Sequence, residues 1–281
     1  MNTVKKIISL FVLLLNYFGM AQIKNELSIG KSYTISSKIL QEEREYWLYL
    51  PDDYNENESQ NYPVVYLLDA KINFHSFTGL QKMLSRGRRG GMIPKMIVIG
   101  VVNTNRNRDL TPVKANNLPK KFQKNKTMLQ ESGGGEEFLK FLIKELRPEI
   151  EKNYRVKSTA TFVGHSFGAL TVLYTLLEHP DYFTNYLAID PSIWWADKFL
   201  LELAKEKLVT TEFFGKSLFF SSSNHQNLSE TQEELSPLFK KFQPKHLRWR
   251  FKYYPEENHG SVIIPSEYDG LKYLFMQQKE N

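Results

Sequence analysis

A serine hydroxyl becomes a nucleophile when a tight strand-to-helix turn holds it out over the edge of a sheet. The run Thr159-Ala160-Thr161-Phe162-Val163-Gly164-His165-Ser166-Phe167-Gly168-Ala169-Leu170 has the residues for such a turn. Gly164 and Gly168 stand two positions before and after Ser166, where a Cβ would collide with the neighbouring strand or helix. An apolar β-type run precedes the serine. Ala169, Leu170, Val172, Leu173, Leu176 and Leu177 follow it at helical spacing. The pattern predicts a nucleophile elbow with Ser166 at its apex.

A serine is too weak an acid to attack unaided, so a general base should lie downstream. His259, in Glu256-Glu257-Asn258-His259-Gly260-Ser261, follows the last strand-like segment and precedes the last helical one. That puts it on the carboxyl edge where open α/β sheets bind ligands. His179 and His246 read as surface residues, and His225 falls in a loop. The orienting acid stays open at this level. Asp190, in Ala188-Ile189-Asp190-Pro191-Ser192, reaches His259 if the histidine loop leans over it; Glu230 is the first acid after segment 218–222; a Ser-His dyad without a carboxylate is the third option. Charge developing on the attacked carbonyl needs backbone donors. The Phe167 amide is one. The other is expected from Asp69-Ala70-Lys71, with the Lys71 amide as donor. Phe74, His75, Phe77, Trp194 and Trp195 are expected to wall the cleft. This chemistry calls for no metal and no cofactor.

Positioning these groups takes a sheet. Strand-like runs occur at 33–40, 45–50, 62–68, 96–102, 160–163, 186–189, 218–222 and 247–254, with helical patterns at 136–153, 167–178, 197–207, 230–242 and 265–278. Strands alternating with helices predict a mostly parallel, doubly wound sheet of about eight strands. The first two strands have no helix between them and should pair antiparallel at one edge. Residues 103–135 read as a long irregular insertion, a feature that is usually functional or mobile.

The 281 residues, 41% hydrophobic, suffice for one sizeable α/β domain. Residues 1–21 carry Lys5 and Lys6, an apolar run from Ile7 to Phe18, and then Gly19-Met20-Ala21. They read as a secretory signal cut after Ala21, leaving a domain over 22–281 and a secreted or periplasmic protein without a stable membrane anchor. The absence of cysteine excludes a disulfide framework and a lipid-anchored cysteine. Loss of the two leader lysines takes the net charge from +6 to +4, too diffuse for a nucleic-acid binder. Local basicity at Lys114, Lys120, Lys121, Lys124 and Lys126 reads either as a solvated loop or as a rim that draws an anionic substrate toward a cleft.

Five further runs carry a resemblance: Leu67-Leu68-Asp69-Ala70; Ile99-Gly100-Val101-Val102-Asn103-Thr104; Arg106-Asn107-Arg108-Asp109-Leu110-Thr111-Pro112; Pro191-Ser192-Ile193-Trp194-Trp195; and Asn258-His259-Gly260-Ser261. With the serine motif, they make residues 28–276 similar to the Putative esterase family of α/β hydrolases, most of all to its ferric-siderophore esterase branch. The resemblance implies the α/β-hydrolase fold, a three-layer αβα sandwich, with catalytic residues at Ser166 and His259. It implies an arginine, Arg106 or Arg108, that helps hold an anionic ligand; Trp195, from the cleft wall, is expected to bind substrate as well. Ala70 stands where a glycine is common, and Asp190 where that branch often has serine. The expected activity is hydrolysis of a small-molecule or oligomeric carboxylic ester through an acyl-enzyme, of siderophore type in the closest branch. A feruloyl or acetyl esterase on polysaccharide, an acyltransferase, and a binding protein that kept only the fold remain as other readings.

Overall fold

The computed structural model describes residues 27–56, 58–87, 91–119, 126–224 and 230–276. The leader-like segment 1–21, His225 and three of the five loop lysines (Lys120, Lys121 and Lys124) lie outside them. Eight strands form one sheet: β1 Lys31–Ser37, β2 Glu42–Tyr49, β3 Tyr62–Leu67, β4 Ile97–Val101, β5 Val156–His165, β6 Asn185–Ile189, β7 Lys216–Ser223 and β8 Leu247–Tyr254. Their order is β1-β2-β4-β3-β5-β6-β7-β8. The first pair is antiparallel, as the missing crossover helix requires, β2 pairs antiparallel with β4, and every later neighbour is parallel.

The helices, in chain order, are α1 Ala70–Leu84, α2 Arg106–Asp109, α3 Lys126–Gln130, α4 Gly135–Phe141, α5 Arg147–Asn153, α6 Phe167–Glu178, α7 Trp195–Thr210, α8 Ser236–Phe242 and α9 Ile263–Phe275. A π-helical turn, Leu142–Leu146, joins α4 to α5, and another, Thr231–Leu235, leads into α8. Within α7, Ala196, Asp197 and Lys198 have φ of 47°, 54° and 64°, so regular helix begins only after them.

Alternation along the strands divides the core into two halves. Tyr66, Ile99, Phe162, Tyr186 and Phe220 face the side covered by α4 to α8. Leu67, Val98, Val163, Leu187 and Phe219 face the side covered by α1 and α9. This is the three-layer sandwich. The parallel strands are buried on both sides, which is why they read as nearly unbroken apolar runs. Phe162 stacks on Phe183 with ring centroids 4.4 Å apart, and each fully buried side chain of this size contributes on the order of 2 kcal/mol by leaving water.

The described part of insertion 103–135 is tied to the body of the fold. Leu110, Ala115 and Leu118 are buried. Asp109 is fully buried and pairs at 2.6 Å with Arg44 of β2, itself buried against Phe138 and Phe141. Arg44 also pairs with Glu42 at 2.8 Å, so the two ions are the centre of a network rather than an isolated pair. Among the described residues no helix is long and apolar enough to cross a membrane.

Candidate active site

All the candidate groups emerge at one edge, the carboxyl ends of β3 to β8. β5 ends at His165, Ser166 turns the chain with φ 60° and ψ −117°, and α6 begins at Phe167. The turn is possible because its flanks are glycine: a Cβ on Gly164 would stand 2.3 Å from the carbonyl carbon of Gly168. The Ser166 amide donates to the Ile189 carbonyl at 3.0 Å, which anchors the strained residue to β6. The Ser192 amide donates back to the Ser166 carbonyl at 3.3 Å, and the two hydroxyl oxygens lie 3.2 Å apart.

Asp190, fully buried at the end of β6, lies 2.7 Å from Nδ1 of His259. The intervening strand, β7, closes the gap at its tip, where Ser223 donates to the same carboxylate from its hydroxyl at 2.6 Å and its amide at 2.9 Å. Burial alone would raise the Asp190 carboxyl. The bonds from His259 and Ser223 outweigh it and hold the group below the ordinary carboxylate range. A carboxylate only accepts, so Nδ1 of His259 is the nitrogen that donates to it, which turns Nε2 away from Asp190. Of the three options for the acid, Asp190 is the carboxylate that the fold brings to the histidine. Glu230 precedes the π-turn before α8, with one oxygen buried and unpartnered among the described residues.

His165 is a contributor that sequence reasoning passed over. Its Nε2 donates to the carbonyl of His259 at 2.8 Å, and the two rings lie 4.4 Å apart. Burial, and then the neighbouring His259, push His165 down to about 4, against a smaller opposing pull from Asp190. It is therefore neutral near pH 7 and holds the backbone of His259 while Asp190 holds the ring. The signal was a histidine directly before the serine, at a motif position that reads as variable.

Two helix N-termini converge beside the serine. The Phe167 amide opens α6, and Lys71 lies in the first turn of α1, where Asp69, in a left-handed conformation, accepts the Ile72 and Asn73 amides at 2.9 and 3.1 Å. Neither the Phe167 nor the Lys71 amide has an acceptor among the described residues, as expected for first-turn N–H groups. A Cβ on Gly168 would stand 3.5 Å from Leu68 and 3.4 Å from an Asp69 carboxylate oxygen, so the two turns touch. Such a pair of amides can receive an oxyanion.

Several expected ligand contacts need correction. Trp195 is fully buried, donates to the Val113 carbonyl at 2.9 Å and packs against Phe167, so it supports the site from behind. Phe74 and Phe77 are core residues of α1. Phe74 and the exposed His75 instead line a hollow of about 460 Å³ with Trp47 and Glu45, against β1 and β2. Arg108 spends its guanidinium on Glu42, at 2.5 and 3.0 Å, and on Asp109 at 2.8 Å, which makes it part of the buried ion cluster. Arg106 stays at the site, bidentate to Asp69 and about one-third exposed. Among the described residues no group of three or more His, Asp or Glu side chains stands ready to hold a metal.

Comparison with known proteins agrees with this architecture. The family described as Putative esterase matches residues 37–227. Ferri-bacillibactin esterase BesA of Bacillus subtilis is 36% identical over 170 residues, 57% of this chain and 58% of BesA, so the match spans little more than half of that relative. A siderophore enterobactin esterase of Emericella nidulans is 28% identical over 247 residues, 75% of this chain and 81% of its own length. The crystal structure of an IroE-like serine hydrolase from Shewanella oneidensis superposes with a TM-score of 0.83 at 37% identity, over 88% of this chain and 80% of the other.

Proposed function

Because this chain belongs to the Putative esterase family, we propose that it is a serine hydrolase of carboxylic esters whose substrate is a siderophore-type ester. The observation that carries the reading is the pairing of buried Asp190 with His259, 2.7 Å long, on the edge where Ser166 is held at positive φ. In the proposed reaction Nε2 of His259 takes the Ser166 proton as Oγ attacks the ester carbonyl. The tetrahedral oxyanion is met by the Phe167 and Lys71 amides, and ionised Asp190 stabilises the imidazolium. Collapse releases the alcohol with the proton from His259 and leaves the acyl group on Ser166. Water, deprotonated by the same nitrogen, then frees the acid and regenerates the serine.

The siderophore assignment is supported by the names of the relatives, two of which are siderophore esterases by description. The leader-like residues 1–21 support action outside the cytoplasm. Three measurements test the chemistry and the substrate. Ser166→Ala should abolish turnover of p-nitrophenyl acetate and labelling by a fluorophosphonate; retention of full activity would sink the serine mechanism. In a substrate panel, faster release from a ferric tri-catechol ester than from feruloyl or acetyl polysaccharide supports the siderophore reading, and the reverse order replaces it with the polysaccharide one. Product partition with added acceptor alcohols separates hydrolysis from acyl transfer.

A further inference from the structure

We infer that Arg106 is a positioning residue for the oxyanion site, locking together the two turns that carry its amides and cancelling a buried negative charge beside them. The inference rests on the serine-hydrolase reading above and adds a role to a residue for which the family resemblance implied only ligand binding.

Asp69 occupies an awkward place for a hydrolase of this type. Its carboxylate is 3% exposed, and it opens α1 at φ 55° and ψ 45°. One of its oxygens would lie 3.4 Å from a Cβ on Gly168, within the first turn of α6. An oxyanion forming between the Lys71 and Phe167 amides thus has a carboxylate for a neighbour. Left uncompensated in a buried setting, that charge would oppose the very charge the amides stabilise. Arg106 answers both problems. Its Nε donates to Asp69 Oδ1 at 2.8 Å and one Nη to Oδ2 at 2.9 Å, a two-pronged pairing that fixes the carboxylate's plane as well as neutralising it. The Asn103 amide nitrogen donates to the same carboxylate. The Arg106 guanidinium carbon also lies 5.5 Å from the centre of the Phe167 ring. One side chain therefore contacts both residues that set the amide pair, Asp69 through its salt bridge and Phe167 through its ring. Misplacement of such a pair by about 1 Å is enough to cost roughly 100-fold in rate.

Substrate charge separates this role from ligand holding. On p-nitrophenyl acetate, which carries no charge for an arginine to hold, Arg106→Ala should lower kcat by roughly 10- to 100-fold while KM changes by about twofold or less. Arg106→Lys, which keeps the charge and loses the fork, should fall between. In the double variant Arg106→Ala with Asp69→Asn the buried charge is gone, and kcat should recover by about fivefold or more over Arg106→Ala alone. A purely structural brace would show no such recovery. The inference is overturned if Arg106→Ala keeps wild-type kcat on the neutral ester and loses only turnover of an anionic ester. Should Arg106→Ala fail to fold by circular dichroism, Arg106→Lys and the double variant carry the test, and a wild-type kcat for both overturns it. Persistence of turnover in Ser166→Ala would instead remove the serine-hydrolase reading, whatever Arg106 does.

Discussion

Two carboxyl groups of this molecule are equally buried and chemically opposite. Asp190, at the tip of β6, and Glu267, in α9, are both fully removed from solvent. Asp190 receives His259 and two donors from Ser223, and is held below the ordinary carboxylate range. Glu267 has neither oxygen partnered among the described residues, and burial pushes it up to about 8. Burial sets the cost of the charge in both places, and the donors alone decide whether it is borne. One site keeps an anion ready to steady an imidazolium. The other keeps a proton.

The largest effect expected from breaking this contrast is at Asp190. Asp190→Asn should lower kcat on a small ester by on the order of 10³–10⁴-fold with little change in fold, because the histidine loses its tautomer and its counter-charge. Next comes Glu267. Its folded value near 8 lies above the ordinary 4.5, so the folded chain must bind a proton that the unfolded chain lacks, and stability present below pH 4.5 drains away as pH rises toward 8. Glu267→Gln should therefore stabilise the protein by about 3 kcal/mol at pH 7 and by almost nothing at pH 4, measured by denaturant melts. His165 runs the other way. Its folded value near 4 lies below the ordinary 6.5, so stability falls as pH drops from 6.5 toward 4. His165→Gln, which keeps a donor for the His259 carbonyl, should flatten that limb by at most about 3 kcal/mol, reached only near pH 4. The smallest effect sharpens the contrast: Ser223→Ala removes one of the donors to Asp190. It should cost roughly 3- to 10-fold in kcat and move the acidic limb of the pH–rate profile to higher pH.

Much of this frame was readable from residue order. All eight strands and the elbow helix followed from period and composition, because parallel strands buried on both faces give long apolar runs. Helix α1 did not. Its inner face carries Asn73, Thr78 and Gln81 among the apolar residues, and Gly79 interrupts it, so the 3.6-residue rhythm is blurred. The π-turn of Leu142–Leu146 was also hidden, since one wider turn leaves the apolar spacing nearly intact. At the site, Ser166 and His259 stood out by motif and by position. Asp190 could only be one option, because reaching His259 means crossing the tip of β7, and no local pattern records how far a loop leans. Arg106 and Arg108 look alike in sequence. Their roles diverge because one meets Asp69 and the other Glu42, partners 37 and 66 residues away.

Asp69, Ser166 and Asp190 all have positive φ, at 55°, 60° and 48°, and none is glycine. Each such conformation costs on the order of 1–3 kcal/mol and lasts only while its surroundings enforce it. The working edge is thus a spring under load, whereas the strands beneath it are not. On warming, these three turns should relax while the sheet still holds, so turnover should fade at a lower temperature than the circular dichroism signal of the helices. Heat would then silence this protein as a catalyst before it ceased to be a folded one.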